Sequence, residues 1–327
     1  MFDDSLLDDP LILGVRGERL RDLALAGARL RSEQPDEVAA AAAGLAGSRP
    51  RAVVVIGAEA HLVRAVVEPA GPVPVIAWPV TGLPPWVGPL DLVVVLAGPD
   101  DRLLPVCLEA SRRGAWLFVV APRNSPILDE SGPATMLVTD DDDPLVAALL
   151  ALKVLDHVGL GPAVDLEAVA GVLDAVAEEC GPRHGLGANP AKDLACAMAD
   201  VVPLVWGGSA LAGRASRRVA QAFREATRLP ALAADESALA TLIEGAGPRD
   251  VFADPFEDES APTRFGLLIL DDGESGRRAM DLVALAEDHH VRVATISRTE
   301  GGPVLRYAGL RHQGSFVAAY LGLATLA

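Results

Sequence analysis

The chain has 327 residues, 50% of them apolar, with 45 acidic and 28 basic side chains and a formal charge of -17. That length and apolar content support two domains with full cores and exclude an intrinsically disordered chain. The charge repels nucleic acid and anionic membrane surfaces, so neither is an expected partner, and any site for a phosphorylated metabolite has to be built locally.

No apolar run reaches the roughly 18 to 20 residues that span a bilayer. The start, Met1-Phe2-Asp3-Asp4, is acidic where a secretory signal is basic, so a cytoplasmic location is expected. Cys107, Cys180 and Cys196 show neither a CxxC pair nor metal-ligand spacing and read as buried thiols in helices.

In chain order, residues 1–34 read as an N-terminal helical segment. Residues 35–142 read as a first α/β domain, 143–195 as a helical linker region, and 196–327 as a second α/β domain with a C-terminal helix. A helix over 35–45 precedes the strand Ala52–Gly57. A helix over Ala60–Val67 follows, then strands over 73–77 and 92–96, a helix over 103–113, and a strand over 116–120. These strands are continuous apolar runs rich in valine, as in a parallel sheet covered on both faces.

Asp140 to Asp143 form an acidic turn, and 144–180 read as helical with breaks near Gly159 and Gly161. Asn189 can cap a helix that opens with Pro190. Val202-Pro203-Leu204-Val205-Trp206 then leads through Gly207-Gly208-Ser209 into a helix ending near Thr227. That turn lies at the C-terminal end of its strand, where ligands bind in open α/β sheets. Residues 248–262 are polar and proline-bearing and read as a surface loop. A strand over 265–270, a helix over 276–289, a strand over 291–296 and a helix over 315–326 complete the chain. The expected fold class is α/β, two doubly wound parallel sheets in tandem.

The block from Asn189-Pro190-Ala191-Lys192 to Gly207-Gly208-Ser209 resembles the second half of the two-domain sugar isomerase (SIS) proteins, specifically the bifunctional phosphoglucose/phosphomannose isomerases. Leu83-Pro84-Pro85-Trp86-Val87, Phe223 to Ala231 and the last helix resemble further segments of that family, so the likeness covers most of the chain. It implies two SIS domains and aldose–ketose isomerisation of phosphosugars; the sequence itself shows no EF-hand, GxGxxG or GxxxxGK[ST] motif, so no cofactor and no metal are expected. The resemblance also implies a C2 homodimer whose last helix packs at the interface; Phe316, Val317, Tyr320, Leu321, Leu323 and Leu326 make that helix apolar on most sides.

Carried over residue by residue, the resemblance points to Gly57, Gly98, Asp100, Gly207, Gly208 and Ser209 as substrate-binding positions and to Glu225 as the catalytic carboxylate. It also exposes departures. The family's Ser/Thr-rich phosphate loop corresponds to Ala97-Gly98-Pro99-Asp100-Asp101-Arg102, where hydroxyls are absent and two acids stand in their place. Asp100, Asp101 and Glu59 are expected to converge there, although Asp100 beside Pro99 also suits a helix cap. The family's first glycine loop corresponds to Gly57-Ala58-Glu59-Ala60-His61, and the arginine of its Pro-Arg pair to Leu145. Its ring-opening histidine falls on Thr241, whose hydroxyl cannot replace an imidazole in acid–base work.

Glu225 fits the catalytic role or, as a helix-face residue, a pair with Arg228. The expected function is therefore a degenerate isomerase homologue that binds a carbohydrate derivative or regulates. The alternative is an active isomerase with Glu225 as base, helped by His61 or His312.

Overall fold

The structure, a computed structural model, describes residues 2–33, 35–79, 82–246 and 263–325. The segment 248–262, expected as a surface loop, and Leu326 lie outside the described residues.

A 3-10 turn at Asp4–Leu7 leads into α1 (Pro10–Arg16), α2 (Glu18–Ala24) and α3 (Ala26–Ser32). The next elements are α4 (Pro35–Gly44), β1 (Ala52–Gly57), α5 (Ala60–Val67), β2 (Val75–Trp78) and β3 (Asp91–Leu96). They are followed by α6 (Leu104–Arg112), β4 (Trp116–Pro122), α7 (Ile127–Glu130), β5 (Thr135–Thr139) and α8 (Pro144–His157). The strands form a parallel sheet in the order β2-β1-β3-β4-β5. Val53 to Ile56 and Leu92 to Val95 are fully buried, because helices cover both faces of the sheet. The order reverses between β1 and β3, whose C-terminal ends, Gly57 and Leu96, sit in register.

The remaining elements begin with α9 (Leu166–Cys180), α10 (Pro190–Ala197), β6 (Val202–Gly207), α11 (Ala210–Thr227) and β7 (Leu232–Ala233). After these come α12 (Glu236–Glu244), β8 (Phe265–Asp271), α13 (Gly276–Asp288), β9 (Arg292–Ser297) and α14 (Pro303–Ala324). Here the parallel order is β7-β6-β8-β9, with the reversal between β6 and β8. Two compact units result: Ala28–Ala170, holding the first sheet, and the residues up to Gly27 together with those from Gly171 onward, holding the second. The two-sheet α/β fold read from the apolar runs is the observed one.

Asn189 caps α10 as expected, its Oδ1 accepting from the N–H groups of Ala191 (3.0 Å) and Lys192 (3.2 Å). Its amide donates to the carbonyls of Cys180 and Gly181, which ties the helix start to the end of α9. Burial pushes the thiols of Cys107 and Cys180 up to about 11 and about 12, while Cys196 is half-buried. Helix α14 begins twelve residues before the expected start at 315, because Tyr307, Leu310 and His312 are buried despite the glycines and arginines between them. Phe316, Val317, Tyr320, Leu321 and Leu323 are buried within the chain itself, against α11, α10 and α2. The apolar circumference of α14 is thus covered without a second subunit.

Candidate functional site

Each unit has a cleft at the C-terminal ends of its strands. In the unit holding the first sheet, a cleft of about 310 Å³ opens where the strand order reverses. Gly57 and Gly98 line it, at the ends of β1 and β3. Gly57 has φ +133°, and a Cβ there would lie 2.2 Å from the Leu96 carbonyl oxygen, so the close approach of the two strand ends requires glycine.

Asp100 also lines the cleft, together with Asp141, Asp142 and Asp143 from the turn after β5. Arg102 holds Asp100 through Nε at 2.8 Å, and this bond keeps the Asp100 carboxyl below the usual carboxylate range. Asp100 therefore stays ionised near neutral pH with its cation already engaged. Asp141 is paired with Arg29 at 2.8 Å, and Asp143 caps α8 by accepting from the Leu145 N–H. Asp142 is exposed. Behind them the Thr139 hydroxyl donates to Glu33 at 2.6 Å, and burial pushes the Glu33 carboxyl above its usual range.

Of the three acids expected to converge here, only Asp100 lines the cleft. Glu59 is buried at the start of α5, and Asp101 is exposed away from the cavity. Nor is Asp100 the helix cap: it accepts from the Arg102 N–H in a turn, while α6 starts after Leu103 with no side-chain cap. The aspartates of 141–143 were visible in the sequence only as an acidic turn. What places them is β5, a short edge strand whose threonine-flanked run Thr135-Met136-Leu137-Val138-Thr139 gives little apolar signal.

In the other unit a cleft of about 560 Å³ opens beside β6 and β7. Gly207 and Gly208 line it with Arg217 of α11, Arg278 of α13, and Asp235, Glu236 and Ser237 at the start of α12. Both glycines are sterically required: a Cβ on Gly207 would lie 2.3 Å from the Ala212 carbonyl carbon, and one on Gly208 would lie 2.7 Å from Ser275 Oγ. Ser209 caps α11, accepting from the Ala212 N–H at 3.0 Å, and its hydroxyl donates to the buried Asp272. Its hydroxyl is therefore engaged on the β8 side, and Ser209 does not line the cleft.

Glu225 lines neither cleft. It sits on α11 about 12 Å along the helix axis beyond Arg217, is exposed, and accepts from the Gln221 amide at 2.7 Å, not from Arg228. Arg228 instead ends α11 in the left-handed conformation. Thr241 is exposed and donates to the Ser237 carbonyl at 3.0 Å. His61 is exposed on α5, and His312 is buried in α14 edge-on to Phe316. Neither histidine lines a cleft. No group of three or more metal-ligating side chains occurs among the described residues, and no helix there is long and apolar enough to cross a membrane.

Two parallel sheets, each with a glycine turn at its switch point, make this a tandem doubly wound α/β protein. Residues 187–325 match the sequence profile of the bacterial phospho-glucose isomerase C-terminal SIS domain. Among solved structures, the chain is similar to a glucose-6-phosphate isomerase like protein from Thermus thermophilus, at 19% identity and TM-score 0.61, covering 97% of this chain and 92% of that one. It is similar to tagatose-6-phosphate ketose/aldose isomerase from Escherichia coli at 12% identity and TM-score 0.64, covering 94% and 91%. It is also similar to the C-terminal domain of glucosamine-fructose-6-phosphate aminotransferase from Francisella tularensis at 10% identity and TM-score 0.61, covering 96% and 95%. At such identities the likeness is one of fold. No curated protein matches the chain.

Proposed function

We propose that this chain is a carbohydrate-derivative-binding or regulatory protein built on the phosphosugar isomerase fold, without isomerase turnover of its own. The observation that carries the reading is the acidic cleft at the β1/β3 switch point. Isomerisation needs a phosphate anchor and a base placed together. Here Asp100 is ionised and Asp142 is exposed at the rim, and no serine or threonine hydroxyl replaces the missing anchor in the loop Ala97 to Asp101. A carboxylate about 5 Å from a phosphate oxygen costs on the order of 3 kcal/mol per pair of unit charges at an effective dielectric of about 20. An uncharged or cationic sugar derivative suits that cleft better.

The test is a coupled assay with fructose 6-phosphate, glucose 6-phosphate and mannose 6-phosphate. No turnover above the uncatalysed background is expected with any of the three; steady turnover with one of them would overturn the reading. The family resemblance further supports assembly as a C2 homodimer. Sedimentation is expected to give a dimer, and a stable monomer at micromolar concentration would contradict it.

A further inference from the structure

We infer that the exposed rim at the N-terminal ends of β3 and β4, carrying Trp86, Leu90 and Trp116, is the contact surface for a second copy of this chain. The inference rests on the homodimer proposed above and puts its interface at the opposite strand ends from the cleft of the same unit. Leu90 is 64% exposed, Trp86 44% and Trp116 42%, so two of the chain's four tryptophans face solvent at one rim. Local geometry brings the three together. Trp116 pairs in register with Leu92 on β3. The Leu90 carbonyl accepts from the Arg51 N–H at 2.6 Å, and an Arg51 guanidinium nitrogen donates to the Trp86 carbonyl at 3.2 Å. Fully buried Asp91 accepts from Arg51 at 2.9 Å and from the Gly88 N–H at 3.0 Å, while Arg113 donates to the Pro84 carbonyl at 2.6 Å. A surface pinned at so many main-chain groups loses little further freedom on association.

Charge selects the occupant. Two copies carrying -17 each repel one another over an acidic surface, so a contact between them favours a face that is not acidic. At this rim three arginines, Arg51, Arg112 and Arg113, stand with two acids, Asp91 and Glu109. Arg112 is largely exposed beside Glu109. A two-fold axis through the tryptophans can set Arg112 against the partner's Glu109 and the reverse, which makes an apolar centre with a rim complementary to itself. The apolar side chains of α14 are already covered within the chain, so a dimer needs another apolar surface. A competing face, Leu11 and Val15 of α1, is exposed but has no aromatic side chain. Tryptophan and arginine are the residues that dominate association energies where they occur at a contact centre.

Sedimentation velocity of the full chain tests the surface. Wild type is expected to be a dimer at micromolar concentration, with tryptophan emission moving to longer wavelength on dilution as Trp86 and Trp116 return to water. Trp116→Glu and Leu90→Glu are each expected to weaken the dimer about thirty-fold or more, as loss of a central anchor does. Arg112→Glu sets like charges against each other and is expected to weaken it about ten-fold, while Leu11→Glu leaves it unchanged. These side chains are exposed, so folding of the variants is expected to persist, with thermal melts as the check. A dimer that survives both Trp116→Glu and Leu90→Glu, or one lost equally in Leu11→Glu, would overturn this surface and leave the homodimer standing. A monomeric wild type would overturn the homodimer and this assignment with it, leaving the rim to a foreign partner.

Discussion

Removing Asp8 and removing Lys192 break the same ion pair but leave different groups behind. The Lys192 side chain is fully buried, its ammonium 2.6 Å from Asp8, 2.8 Å from the His184 carbonyl and 5.3 Å from the Tyr320 ring centroid. Asp8 keeps 48% of its side chain exposed. Asp8→Ala therefore strands a buried charge and is expected to cost about 3 kcal/mol in denaturant unfolding, whereas Lys192→Met frees a carboxylate that water can take up and is expected to cost less than half of that. Equal losses from the two would contradict this asymmetry. The Lys192 hydrogen bond, with a further one from the Leu186 N–H, holds the Asp8 carboxyl below the usual carboxylate range. A depressed folded value means the contribution is present above about pH 4 and is lost as pH falls through the folded value. Wild type and Asp8→Asn are thus expected to converge in stability in acid, and a gap that widened there would reverse the sign.

At the scale of elements, α11 and α14 approach closely because glycines let them. A Cβ on Gly314 would lie 2.3 Å from Val219 Cγ2, and one on Gly322 would lie 2.6 Å from the Ala226 carbonyl oxygen. Helix propensity alone makes Gly314→Ala stabilising by about 1 kcal/mol. Overpacking against Val219 is expected to outweigh that and leave a net loss of about 1 to 3 kcal/mol by chemical denaturation; a net gain would show that the two helices can separate freely.

The same helices show what the sequence made legible. The strand Ala52–Gly57, the helix Ala60–Val67 and the α10 to α11 block stand where the apolar runs, the Asn189 cap and the Gly207-Gly208-Ser209 turn put them. The first half of α14 was hidden because Gly309, His312 and Gly314 look like loop residues until their packing is seen. Strand β7 has two residues, and α12 is short with Glu236, Ser237 and Thr241 along it, so neither gave a periodic signal. Gly57, Gly98 and Asp100 could be placed from a resemblance and do line one cleft, as Gly207 and Gly208 line the other. Arg217, Arg278 and Asp141 to Asp143 could not, because nothing local distinguishes a cleft-lining charge from one on a solvated face.

For the whole molecule, the proposed reading is an isomerase-like fold without isomerase turnover. The carboxylate aligned with the family's base is exposed on α11 and lines neither cleft, the residue aligned with its histidine is Thr241, and the loop aligned with its phosphate anchor is acidic. On that reading restoring one group is insufficient: Thr241→His is expected to produce no turnover, since the proposal has the acidic loop Ala97 to Asp101 disfavour phosphate. The most direct measurement exploits the proton that an aldose–ketose isomerase working through an enediol moves between C1 and C2, which exchanges with solvent on the catalytic carboxylate. Fructose 6-phosphate and glucose 6-phosphate incubated with the protein in deuterated water, and followed by proton NMR, are predicted to gain no deuterium beyond the protein-free control. Protein-dependent deuterium at C1 or C2, abolished by Glu225→Gln, would contradict the account.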